Sequence, residues 1–235
     1  DRYEYKYYSG LRRLKRKFNR FRADILRKEY ISRIRLSITA MDEIVCDSSH
    51  TKYALVTHVG VPSNDIKLAY CPPQRADSCE VSESISKAVA GRKIILMISC
   101  GRWIKNAWRA LLALDGLFSK GLLSDYVVVC CGLNSAKLFD GLDNKDRFIS
   151  PGYISNGNLQ HLFRVCDLFL YPTLNEGFGL PPLDALRNGN TCILSGVCSL
   201  PELYGEAVYY VNPYSIQEIA TRVIEASENP ISTEV

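Results

Sequence analysis

The sequence predicts an α/β fold, a parallel sheet with helices on both faces, and three observations carry that prediction. From Lys93 onward, short apolar runs alternate with stretches of helical character, the pattern of strands joined by crossover helices. The runs are continuous rather than alternating. K-I-I-L-M-I-S-C, Y-V-V-V-C-C and D-L-F-L-Y are apolar at successive positions, as strands covered on both faces are. Finally, the chain from Asp167 to Asn190 reads as a buried strand, a glycine-lined turn and a helix start, the local unit of such a sheet.

The elements follow in order. Asp1 to Ser9 is aromatic and charged without a period. Leu11, Leu14, Phe18, Phe21 and Ile25 step by three and four, predicting an amphipathic helix whose other faces are basic. A second helical stretch is expected over Tyr30 to Met41. Glu43 to Ser48 reads as a strand, S-H-T-K-Y-A-L-V-T-H-V-G-V-P as a serine-capped helix, and Ile66 to Tyr70 as another strand. Pro72, Pro73 and a polar run to Arg92 read as a linker. Then come strand 93–100, helix 105–119, strand 126–131, helix 135–139, strand 147–150, helix 158–165, strand 167–171 and the helix after Pro181. Strand 191–194, a short helix in S-L-P-E-L-Y, strand 208–211 and helix 215–227 complete the series. The expected division is 1–72, a linker over 73–92, a Rossmann-like domain over 93–228, and a tail over 229–235.

Bulk properties narrow the function. Charged and hydrophobic fractions of 23% and 47% are those of an ordinary globular protein. No apolar run approaches the roughly 18 residues of a membrane span, and no secretory signal is seen. The chain opens on Asp1 with methionine only at 41 and 97, so a piece of a longer protein is expected. The nine cysteines include no C-x-x-C pair, and His50, His58 and His161 form no zinc pattern. Most of these cysteines sit in apolar runs, which points to reduced thiols and a cytoplasmic location. The net charge of +4 is uneven: residues 1–35 hold thirteen Lys or Arg against four Asp or Glu, which leaves an acidic remainder. This basic segment, residues 11–35, is expected either to lie on an anionic membrane surface, making the protein peripheral, or to pack as an ordinary surface helix. Nucleic acid is not expected, since no base-stacking aromatics accompany the charge.

The chemistry concentrates in N-E-G-F-G-L-P-P-L-D-A-L-R-N-G-N, Asn175 to Asn190. The prolines suit a first helical turn and Gly189 suits its close, so a helix N-terminus faces the glycine turn and offers N–H groups to an anion. Glu176 and Asp184 stand eight residues apart, one expected in the turn and one in the first helical turn. This stretch, continued through S-L-P-E-L-Y-G-E-A-V-Y-Y-V-N-P, resembles the donor-site signature of retaining glycosyltransferase family 4 (group 1), which has the GT-B fold. That family carries E-x7-E within E-G-F-G-L-P-x-x-E-A; here the second glutamate is Asp184, one methylene shorter. The resemblance implies that residues 93–228 are the C-terminal, donor-binding half of a GT-B enzyme. The preceding residues would be the end of its N-terminal, acceptor-side domain.

Departure of a nucleoside diphosphate concentrates negative charge. The chain has no D-x-D to hold a divalent ion, so fixed cations and helix dipoles are expected to stabilise that charge without a metal or other cofactor. Gly101-Arg102-x-x-Lys105-Asn106 follows the first strand of the domain and resembles the family's diphosphate-clamping Arg and Lys. The alternative is a basic pair solvating a loop. Glu176 reads as the acceptor of hydrogen bonds from the donor sugar's hydroxyls, beside the N–H groups of Gly177, Phe178 and Gly179, or else as a solvated turn carboxylate. By resemblance, Leu180 offers its N–H to the diphosphate and Asp184 holds the ribose hydroxyls, although an acid near a helix start is stabilised by the dipole anyway. Gly152, Tyr153 and Ile154 resemble the family's nucleobase segment, while Tyr153 reads equally as a partly buried aromatic. Arg187, Glu202, Tyr204 and the histidines read as structural. The expected activity is transfer of a sugar from a nucleotide donor to a glycan or lipid-linked acceptor with retained configuration. The rivals are a non-catalytic nucleotide-sugar-binding module, another enzyme class on the same fold, and a membrane-surface adaptor.

Overall fold

The computed structural model describes residues 23–39, 43–72, 91–133 and 136–231, with Lys15 and Val89 as isolated positions. The chain divides into two compact units, Asp1–Pro72 and Pro73–Val235.

In the first unit, α1 (Ala23–Thr39) precedes β1 (Ile44–Cys46), α2 (Ser49–Ala54) and β2 (Ile66–Leu68). The two strands pair in parallel, Ile44 opposite Ile66. Ser48 caps α2 as expected, its side chain accepting the Thr51 N–H at 3.1 Å. The helix then continues into a π-helical turn, Leu55–Val59, closed by left-handed Gly60. Cys46, Val59, Val61 and Ile66 form a small core, with Ile34 and Ile38 of α1 packed on it. The helix expected over 30–41 therefore begins seven residues earlier. Leu11, Leu14, Phe18 and Phe21 of the expected stripe lie outside the described residues; Ile25 is 58% exposed. Most of the expected linker and the last four residues of the tail also lie outside them.

The second unit holds β3 (Lys93–Met97), α3 (Ala107–Ser119), β4 (Tyr126–Cys131), β5 (Phe148–Gly152), α4 (Asn156–Val165) and β6 (Leu168–Tyr171). It continues with α5 (Leu180–Arg187), β7 (Thr191–Ser195), α6 (Leu200–Tyr204), β8 (Tyr209–Val211) and α7 (Ile216–Glu228). The six strands form one sheet in the order β5-β4-β3-β6-β7-β8, every pair parallel. The α/β Rossmann-like fold is thus present, with strand order reversing between β3 and β6. In an open parallel sheet that reversal opens a crevice beyond the strands' carboxyl ends, where ligands bind.

Burial explains the strands. Every residue of β4, β6 and β7 is buried, and the core runs through Leu96, Val129, Phe169 and Leu194 to Leu162, Phe163, Ala185 and Leu200 on the helices. Ser155 and Ser215 cap α4 and α7 by accepting the N–H groups of Asn158 and Glu218.

Several boundaries differ from expectation. The helix expected from Lys105 begins at Ala107, because Trp103–Lys105 forms a separate 3-10 turn and Asn106 takes a left-handed φ of 59°. Residues 136–139 form a 3-10 turn instead of an α-helix, and Ser135 lies outside the described residues. The β3 strand stops at Met97, because Ser99 turns to a positive φ of 53°.

Candidate active site

Three loops meet at the carboxyl edge of the sheet, and glycines set how closely. Gly101 donates its N–H to Gly132 O at 3.2 Å, and Gly132 donates to Gly152 O at 2.7 Å. A Cβ on Gly101 would stand 2.6 Å from the Gly132 carbonyl oxygen, so no larger residue fits. Two of the expected ligand-binding glycines, 101 and 152, therefore stitch the loops after β3 and β5 to the loop after β4. Gly132, their common partner, was not anticipated. Beside them a cavity of about 220 Å³ is lined by Ile98, Ser99, Cys131, Gly132, Tyr153 and Ile154, among others. Tyr153 is 94% exposed, which removes its reading as a partly buried aromatic, whereas Ile154 packs on the core.

Across the crevice the loops after β3 and β6 are tied together. The Leu174 N–H and the Thr173 hydroxyl both donate to Ile104 O, at 2.8 and 3.2 Å. Asn106 donates through Nδ2 to Pro172 O (2.9 Å) and Pro213 O (2.6 Å), and accepts from Arg109 through Oδ1. Buried and fully engaged, the Asn106 side chain holds three loops in place while the 3-10 turn before it aims Lys105.

Lys105 and Glu176, 71 residues apart in sequence, form an ion pair at this point, with side chains only 8% and 17% exposed. Between them stands Tyr171, the last residue of β6. Its hydroxyl accepts from Lys105 Nζ at 2.5 Å and donates to Glu176 Oε2 at 2.8 Å. Burial, and next the Glu176 charge, push the Tyr171 phenol well above its ordinary value, with Arg102 pulling the other way. Glu176 therefore has one oxygen anchored twice, and Oε1 has no partner among the described residues. Arg102 is exposed at the start of the 3-10 turn, near enough for its charge to act on the Tyr171 hydroxyl.

The turn Glu176 to Gly179 is held from behind. Ser199 Oγ donates to the carbonyls of Glu176 and Phe178, at 3.3 and 3.2 Å, and the Tyr204 hydroxyl donates to Gly179 O at 2.5 Å. Gly179 has φ 98°, and a Cβ there would lie 2.6 Å from Leu200 Cδ2. The α5 helix starts at Leu180, so Pro181 and Pro182 occupy its second and third positions and Asp184 falls in the second turn, not the first. This changes the anion site. Two of the four free donors of an ordinary helix start, those of residues 181 and 182, are missing because proline has no N–H. The Leu180 N–H remains among those that the start of α5 presents.

Asp184 is 9% exposed, and both Glu176 and Asp184 act on Tyr204, adding to the burial that raises its phenol. Sequence reasoning missed Tyr171 as a site residue and set Tyr204 aside as structural. The available signal was position: a tyrosine closing an otherwise apolar strand at its carboxyl end. Among the described residues, no group of three His, Cys, Asp or Glu could hold a metal ion.

Over 82 residues the chain is 40% identical to the serotype-specific mannosyltransferase WbdA of Escherichia coli, covering 35% of this chain and 10% of that protein. It is 33% identical over 78 residues to the O-antigen chain mannosyltransferase B of Escherichia coli, covering 33% of this chain and 20% of that one. Among solved structures, Anabaena HepE in complex with UDP and glucose superposes with a TM-score of 0.64 at 17% identity, over 80% of this chain and 54% of that one. A Rickettsia africae glycosyltransferase superposes with a TM-score of 0.61 at 17% identity, covering 79% and 53%. The chain thus spans about half the length of the solved proteins it matches and a smaller part of the curated relatives. Residues 80–235 match the family described as glycosyl transferases group 1, and the chain belongs to that family.

Proposed function

We propose that the protein transfers a hexosyl group, mannosyl by the names of its relatives, from a nucleoside-diphosphate sugar to a glycan or lipid-linked acceptor. The observation that carries this is the Lys105–Tyr171–Glu176 cluster, seated where the strand order reverses. A sugar joined to a diphosphate needs cations at one end and hydrogen-bond acceptors at the other, and the cluster presents both within one side chain's reach. Lys105, Arg102 and the Leu180 N–H stabilise the charge that builds on the departing diphosphate, Lys105 from a position shielded from water. Glu176 Oε1 accepts from the sugar's hydroxyls and fixes its orientation, which is a large part of the rate. Tyr153 and the cavity beside it take the nucleobase, and Asp184 the ribose.

We further propose that the reaction retains configuration and needs no metal, the cationic groups taking the ion's place. The basic segment 11–35 would hold the protein at an anionic membrane surface, which liposome sedimentation at low and high salt measures. The binding-module reading has one observation in its favour, Asp184 in place of the family's longer acid.

A thermal-shift panel of UDP, GDP, ADP and dTDP with their sugars, on the full-length protein, tests the assignment. The matching donor at about a hundred times its Kd stabilises by about 2.7 kcal/mol. Lys105→Ala is expected to weaken that donor about tenfold to a hundredfold, the worth of a charged hydrogen bond. Release of free sugar or glycosylated product separates enzyme from binding module. A strict magnesium requirement would reject metal independence, and binding of no nucleotide would reject the whole reading.

A further inference from the structure

We infer that Tyr171 is a positioning residue for this transfer: its hydroxyl donates to Glu176 and fixes that carboxylate so that one oxygen is left for the donor sugar, while the Lys105 ammonium it accepts from keeps one N–H for the diphosphate. The inference rests on the reading of the site given above.

The atoms can be assigned one by one. The Tyr171 hydroxyl has a single proton, which goes to Glu176 Oε2, and a lone pair that accepts from Lys105. A lysine ammonium has three N–H donors. One goes to Glu176 and one to Tyr171, which leaves the third for a phosphate oxygen. Glu176 Oε2 takes both protein donors, so Oε1 is the oxygen presented to the sugar. Both cationic and acceptor ends of the donor are met without breaking the ion pair.

The ring itself cannot wander. It is buried in the core, stacked on Phe169 with centroids 5.7 Å apart and an interplanar angle of 20°. The Lys105 ammonium sits 4.8 Å from its centroid. Burial and the Glu176 charge keep the phenol protonated well into the alkaline range, so the donor role persists at any working pH. Glu176, by contrast, turns about a terminal torsion that is broad and nearly two-fold. The ion pair alone leaves open which oxygen faces the ligand; the second, rigid donor decides it.

The test is a double-mutant cycle in the full-length protein with Tyr171→Phe and Glu176→Gln. Phenylalanine keeps the ring, its stacking and its contact with the ammonium, and removes one oxygen. Tyr171→Phe is expected to lower kcat about tenfold or more while nucleoside diphosphate without sugar still binds within about threefold of wild type. On the Glu176→Gln background the same change should cost less than about twofold, because the group it positions is already altered. Rates are taken per folded molecule, well below the melting midpoint, so a loss of stability is not read as a loss of positioning. A Tyr171→Phe protein within twofold of wild type, beside a crippled Glu176→Gln, overturns the assignment and leaves the transferase reading standing. Losses that multiply in the double mutant overturn it as well, since Tyr171 would then act apart from Glu176. Wild-type protein that neither binds nor transfers overturns the assignment together with the reading beneath it.

Discussion

Gly179 shows what a single residue decides in this site. Its φ of 98° is strained for any side chain, and a methyl there would press on Leu200 at 2.6 Å while touching Glu176 and Tyr204. Gly179→Ala is expected to cost about 1–3 kcal/mol, read as a lowered urea midpoint, and to weaken donor binding because the Glu176 turn must shift. The glycine was legible in sequence, since a turn between strand and helix calls for one. Lys105 and Glu176 were legible through residue type and spacing. Tyr171 was not, because its role comes from two loops that meet it only after folding.

At the scale of elements, the loops depend on one amide. Asn106 joins the turn after β3 to the carbonyls of Pro172 after β6 and Pro213 after β8. Proline carbonyls at these positions have no neighbouring strand to serve them, so the side chain is their donor. Asn106→Ala leaves buried acceptors without partners, at about 1–3 kcal/mol each, and forces the left-handed position onto alanine. Urea denaturation should show a loss of about 2 kcal/mol or more, and the thermal shift from the matching nucleotide sugar should shrink as Lys105 loses its aim. A nucleotide shift as large as wild type's would show that the tie does not position the site. Helix starts were the least legible feature of the sequence. The prolines pointed to the start of α5 only within a residue, and a 3-10 turn ahead of α3 is too short to show a period. Strand β4, by contrast, was found at its observed ends, because an apolar run of six with three valines has the length and the β-branching of a covered strand.

At the scale of the whole molecule, a set of buried thiols and phenols among the described residues shares one direction. Burial raises the thiols of Cys100, Cys131, Cys166 and Cys192 and the phenols of Tyr171 and Tyr204, Cys131 from 9.0 to about 12. A folded-state value above the unfolded one contributes stability that is complete below the unfolded value and lost as pH climbs through the folded one. The melting temperature should therefore hold steady up to about pH 9 and fall progressively between about pH 9 and 12. A melting temperature unchanged between about pH 9 and 11 would contradict this placement of the cysteines.

The alternation of apolar runs and helical stretches was enough to specify the parallel sheet, because burial on both faces leaves a continuous mark on the strands. The E-G-F-G turn and the Arg102–Lys105 pair were likewise enough to place a candidate site at the strands' carboxyl ends, because strand-end positions are read from order along the chain. Which side chains meet one another there was settled only by the fold. Residues 101, 132 and 152 are far apart in sequence, as residue 105 is from 171 and 176, and the strand order β5-β4-β3-β6 brings them together. A hydrogen bond depends on distances of a few tenths of an ångström, and a linear sequence contains no distances across a sheet.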